Sequence, residues 1–159
     1  MIIIKIYNKI KNFFCHHSLD DIMKKFSQKE IDKFIEMLDF SKIEGRVVPV
    51  IAQDYKTNEV LMLAFANEEA VRQSLETGIA CYYSRSRKKL WKKGEESGHI
   101  QEIQNIFVDC YNDTMLLKVK QKVAACHTGF YSCFHREYVG GELITQGKPI
   151  FNPDDVYKK

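Results

Sequence analysis

The chain has 159 residues, 45% hydrophobic and 28% charged, with a formal net charge of +3. This is the length of about one domain and the composition of a globular one, which excludes a disordered polyelectrolyte. So small a net charge does not by itself point to nucleic acid.

Residues 1–14 are apolar but broken by Lys5, Lys9 and Lys11. No run there is long enough to span a membrane, and no small-residue cleavage site follows. The five cysteines, Cys15, Cys81, Cys110, Cys126 and Cys133, are an odd set, unlike the even framework of a secreted disulfide scaffold. Reduced thiols, a cytoplasmic location and no membrane contact are therefore expected. Residues 1–20 read as an extension, and Met23 is an alternative start. Ser27 and Glu30 form a capping box, and Ile31, Phe34, Ile35 and Leu38 follow at helical spacing, predicting a short amphipathic helix.

From Arg46 onward the pattern changes to short strands. Segments 47–53 and 60–65 flank Lys56-Thr57-Asn58-Glu59 and predict a hairpin. Asn67 predicts the cap of a helix that runs through Leu75 and stops at Gly78. Further strands are predicted at 79–84, around 103–109, at 114–121 and at 131–138. The fold class is α+β, a strand-rich compact domain with one or two short helices.

Chemistry concentrates in Asp109-Cys110-Tyr111-Asn112-Asp113 and in the stretch from Cys126-His127-Thr128-Gly129 to Cys133. The three cysteines are spaced C-x15-C-x6-C, which is not the close-knuckle spacing of a zinc ribbon. Three thiolates with an open position would suit a catalytic zinc; plain packing is the alternative for buried thiols. If 109–113 is extended, Asp109 and Asp113 share one face and Cys110 points to the other.

These motifs resemble the phosphoribosyl-AMP cyclohydrolase family of histidine biosynthesis. The resemblance rests on Asp109-Cys110-x-x-Asp113, Cys126-His127-Thr128-Gly129 and Ser132-Cys133-Phe134. It also rests on the run from Ser84-Arg85-Ser86-Arg87 through Trp91-Lys92-Lys93-Gly94-Glu95 to Ser97-Gly98-His99, and on Gln53-Asp54-Tyr55-Lys56-Thr57. It implies a domain over 41–140, an extension over 1–40 and a tail over 141–159. It also implies a homodimer with its sites at the subunit interface. Cys110 of one subunit would join Cys126 and Cys133 of the other on zinc, while Asp109 and Asp113 would hold magnesium. The family usually has a third aspartate where this chain has Tyr111, and a phenol is a poor ligand for a hard cation. A weakened or rearranged magnesium site is therefore expected. The short stretch after Arg136 is not expected to hold the helical second domain that some relatives fuse there.

The implied reaction is hydrolytic opening of a purine ring at N1–C6 in a substrate with two phosphates. Imidazole titrates near neutrality, which makes His127, beside a zinc cysteine, the first candidate proton carrier and His99 the second. Arg85 and Arg87 suit phosphate oxygens, with Ser84 and Ser86 as hydroxyl donors. Trp91 would stack on the purine or pack in the core. Lys88 and Lys89 read as solvent-exposed, and His16 and His17 as solvated. Asp54 and Glu95 would orient a base or form surface ion pairs. Cys81 reads as packing. Two competitors remain: an inactive relative disabled at Tyr111, and a zinc-stabilised RNA-binding module built on the basic run of Arg85, Arg87, Lys88, Lys89, Lys92 and Lys93.

Overall fold

The computed structural model describes residues 26–157. The readings for residues 1–20, Cys15, His16, His17 and Met23 lie outside the described residues. Helix α1 (Gln28–Met37) begins at the predicted box: Ser27 and Glu30 satisfy each other's backbone N–H groups. Its periodic face buries Ile31 and Ile35, which join Leu38 and Phe40 in the core. The helix is thus integral to the packed domain, and Arg72 Nη1 at 2.8 Å from Asp32 Oδ1 ties it to the next helix.

Strands β1 (Val48–Asp54) and β2 (Val60–Ala66) form the predicted hairpin, with Asn58 taking the positive φ its turn requires. Helix α2 (Glu68–Thr77) starts where Asn67 Oδ1 accepts from the Ala70 N–H at 2.9 Å, and ends at Gly78. Four more strands follow: β3 (Cys81–Ser84), β4 (Lys89–Lys92), β5 (Gln101–Val108) and β6 (Met115–Gln121). The short ribbon β7 (Arg136–Val139) with β8 (Glu142–Thr145) and the one-turn helix α3 (Pro153–Val156) complete the described chain.

The main sheet has the order β2-β1-β6-β5, with β1 and β6 parallel and both outer pairs antiparallel. Strand side chains alternate between faces, and along β1 Val48, Val50, Ala52 and Asp54 are the buried set. The other face carries an apolar row across all four strands. Leu63 pairs with Ile51, Ile51 with Leu116, and Leu116 with Phe107. Leu63 and Phe107 are about half exposed, at 50% and 51%.

Two predicted strands differ, and β4 was not predicted. The 79–84 strand begins only at Cys81, because Ile79 makes an isolated bridge to Glu102. The basic run hid β4: Leu90 and Trp91 pair with Tyr83 and Tyr82, so the run is one arm of a hairpin. The 131–138 segment is mostly a compact loop, because Ala125 N–H bonds to Tyr131 O and Cys133 N–H to Leu61 O. Only its end extends, pairing with β8. Among the described residues no helix is long and apolar enough to cross a membrane.

Candidate active site

A cavity of about 240 Å³ opens between the β3–β4 hairpin, the 93–97 loop and the 125–133 loop. Among the predicted site residues it collects Arg87, Trp91, His127 and Cys133. Arg87 is held by Ser84, whose Oγ accepts from both its backbone N–H and its Nε at 3.3 Å. Ser86 Oγ lies 3.5 Å from Ser84 Oγ. Trp91 shares its surface between core and cavity, its ring centroid 5.5 Å from that of Tyr82. Arg85 is turned elsewhere: its guanidinium lies 3.7 Å from the centre of the Phe65 ring.

His99 does not line this cavity. It is buried, edge-on to Phe151 at 4.6 Å. Burial holds its imidazole below the ordinary value, with the charges of Lys93 and Lys122 acting in the same direction. Asp54 forms no surface ion pair. Buried beneath the β1–β2 turn, it accepts from Tyr131 Oη at 2.7 Å and from the N–H groups of Lys56 and Thr57. Burial would raise its carboxyl, but the Thr57 N–H, the Tyr131 hydroxyl and the other donors outweigh that and lower it. Glu95 lines the cavity, while Cys81 is buried packing.

Lys93, placed by the sequence only in a motif and a basic run, and Tyr157, given no role, both line the cavity. Lys93 was masked by the charge run around it; its neighbour Gly94 was the available signal. A Cβ at Gly94 would stand 2.6 Å from the Ile100 nitrogen, so the chain is locked against the 99–100 backbone. Tyr157 arrives because the C-terminal segment crosses Gly129, where Ile150 N–H bonds to Gly129 O at 2.7 Å. A Cβ there would collide with Phe151 O.

Cys126 and Cys133 are close neighbours, and Cys126 Sγ lies 2.9 Å from Thr128 Oγ1. Burial of the Cys133 thiol, together with Cys126 beside it, pushes it up to about 11. Two adjacent soft donors are what zinc selects. Cys110, however, sits in the turn after β5, where Val108 pairs with Met115. Cys133 is bonded to Leu61, near the far ends of β1 and β6. The register separates Leu61 from Val108 by two to three residues, roughly 8 Å along the strands at ~3.3 Å per residue. The sheet order sets them three strands apart, about 14 Å at ~4.8 Å per strand. Sulfurs sharing one zinc each lie about 2.3 Å from it. Within one chain Cys126 and Cys133 are brought together and Cys110 is held apart from them. Among the described residues no three metal-binding side chains converge.

The 109–113 segment is a tight turn, not the extended strand that alternation assumed, and Asn112 has φ 57°. Asp109 Oδ1 accepts from the N–H groups of Asp113 at 3.0 Å and Thr114 at 3.1 Å. Burial would raise Asp109, but these N–H groups hold it low. Asp113 has Thr114 Oγ1 at 3.3 Å and Lys42 Nζ at 3.7 Å. Tyr111 is 71% exposed, with Lys42 Nζ 5.8 Å from its ring centre. One Asp109 oxygen closes the turn and Asp113 faces a lysine, which leaves fewer open oxygens than two free carboxylates would offer magnesium.

Comparison with known proteins carries this further. The family model for phosphoribosyl-AMP cyclohydrolase matches residues 62–135. A phosphoribosyl-AMP cyclohydrolase of Methanoregula boonei is 56% identical over 123 residues, covering 77% of this chain and 98% of the relative. One from Methanothrix thermoacetophila is 57% identical over 116 residues, covering 73% and 93%. The chain belongs to the phosphoribosyl-AMP cyclohydrolase family. A histidine biosynthesis bifunctional protein of Thermoanaerobacter pseudethanolicus is also 55% identical, over 112 residues, with 52% of that longer protein covered. The cyclohydrolase match includes the hairpin, both cavity loops and the 109–113 turn.

Proposed function

We propose that this chain hydrolyses the purine ring of 1-(5-phosphoribosyl)-AMP at the N1–C6 bond, in the cytoplasm, as a zinc-dependent homodimer. Family membership supports the enzyme class. The observation that carries the site is the meeting of Arg87, Trp91, His127 and Cys133 around one cavity. Arg87, oriented by Ser84, is the phosphate anchor, since a guanidinium forks onto phosphate oxygens. The Trp91 face receives the purine. Zinc, when bound by Cys126, Cys133 and a second copy's cysteine, supplies the Lewis acidity that lets water react at neutral pH. Water adds at C6, the N1–C6 bond breaks, and the departing N1 takes a proton from His127. His127 first accepts a proton from the attacking water, which balances the reaction. His99, buried against Phe151, supports the fold and lies off this route.

The dimer reading draws on two features. Cys110 lies too far from Cys133 to share its metal within one chain, and the row Leu63, Ile51, Leu116 and Phe107 leaves an apolar sheet face open. Such a face is the kind that a partner covers. Magnesium is given no step here: one Asp109 oxygen closes the turn and Asp113 faces Lys42.

The RNA-binding alternative fits less well. Lys93 is buried and Arg87 points into a cavity, so the basic run is not a continuous exposed stripe.

The test is ring opening of phosphoribosyl-AMP by the purified full chain, with zinc measured on the same sample. Turnover with about one zinc per chain is expected. Bound zinc without turnover on added substrate would instead identify an inactive relative.

A further inference from the structure

Lys93 is only 4% exposed, and its Nζ donates to Ala125 O at 2.7 Å. An ammonium has three donors, and among the described residues no carboxylate lies within ion-pair distance of this one. A buried cation without an anion is costly, and proteins retain one where a negative partner is supplied. Lys93 lines the same cavity as Cys133, and its acceptor Ala125 adjoins Cys126; both cysteines would be thiolates when they hold zinc. Its placement is rigid: Lys93 N–H bonds to Ala80 O, and Gly94 admits no side chain against Ile100. The carbonyl it holds, on Ala125, immediately precedes Cys126.

We propose that Lys93 is the built-in counter-cation of the Cys126–Cys133 pair, a positioning residue fixed beside the two soft donors that balances the charge they carry when zinc is bound. This rests on the zinc reading above. Three thiolates on a divalent ion leave a net charge of −1, and one fixed ammonium brings the cluster to neutrality. Through Ala125 O the same side chain also sets where Cys126 starts. Groups of this kind, one contact removed from a metal, change its affinity by ~10- to 100-fold.

The experiment compares zinc dissociation constants, by competition with a chelator of known affinity, for the wild-type chain, Lys93→Gln and Lys93→Arg. Glutamine can keep the bond to Ala125 O without the charge, whereas arginine keeps the charge. Zinc is expected to bind ~10- to 100-fold more weakly to Lys93→Gln, with Lys93→Arg close to wild type. A folded Lys93→Gln that binds zinc as tightly as wild type overturns the inference. If Lys93→Gln does not fold, Lys93→Met is read in its place against the same criterion. Should both neutral variants fail to fold while Lys93→Arg folds and binds zinc, charge is the requirement and the inference stands. If Lys93→Arg fails too, the site needs the shape of lysine and the inference falls. A wild-type chain that binds no zinc refutes the zinc reading itself, which is a different result.

Discussion

At the 109–113 turn both carboxylates have local partners: Asp109 closes the turn and Asp113 faces Thr114 and Lys42. At the cavity the reverse holds. Two thiols lie side by side, a buried ammonium has one acceptor, and Arg87 and His127 face open space. Both regions carry the family's motifs, yet only in the cavity do several motif side chains meet around open space. A motif marks where chemistry is arranged; how its hydrogen bonds are spent indicates whether it is ready for a ligand.

Removing a donor from the cavity gives the largest expected effect. Cys126→Ala should lose zinc and ring-opening together, measured as metal content and turnover on one preparation; an active, zinc-free variant would falsify the proposed chemistry. The next test joins the two regions. Cys110→Ser and Cys133→Ser should each be inactive, but mixing them through reversible denaturation should restore about a quarter of wild-type activity, because half of randomly paired dimers contain one intact site. No recovery from mixtures shown to contain heterodimers would mean that Cys110 does not reach across. Within the cavity, Arg87→Ala should raise KM by ~10- to 100-fold, the loss of a charge-assisted bond. Arg85→Ala, which unstacks Phe65, should change KM much less.

The hairpin at β1–β2, the caps of α1 and α2 and the cysteine pair were legible because each depends on local chemistry: polar turn residues, capping side chains and a motif in one loop. The 131–138 strand was misread because its apolar residues serve a loop whose backbone bonds go to Ala125 and Leu61. That partnership spans the chain and leaves no local period. Lys93 was invisible for a similar reason, since six cations in one run look alike until the β3–β4 register buries one of them. The separation of Cys110 from Cys133 also required the strand order.

Smaller effects test the remaining groups. His99 has a depressed imidazole, so the unfolded chain binds its proton more readily than the folded one. Its contribution to stability should therefore decline as pH falls through the ordinary value of 6.5 and level off below the folded one. The loss of melting temperature between pH 7.5 and pH 5 should be smaller in His99→Gln than in wild type. The smallest effect is expected at the turn: omitting magnesium should change wild-type turnover less than about twofold. Tyr111→Asp should bind magnesium measurably by calorimetry where wild type does not, and strong binding by wild type would reverse the contrast drawn between the two regions.

The crossing at Gly129 has a practical side. Because it carries Phe151 to His99 and Tyr157 to the cavity wall, Gly129→Ala would disturb both at once. That one substitution is a handle on how much the segment contributes to the cavity, read as a change in KM.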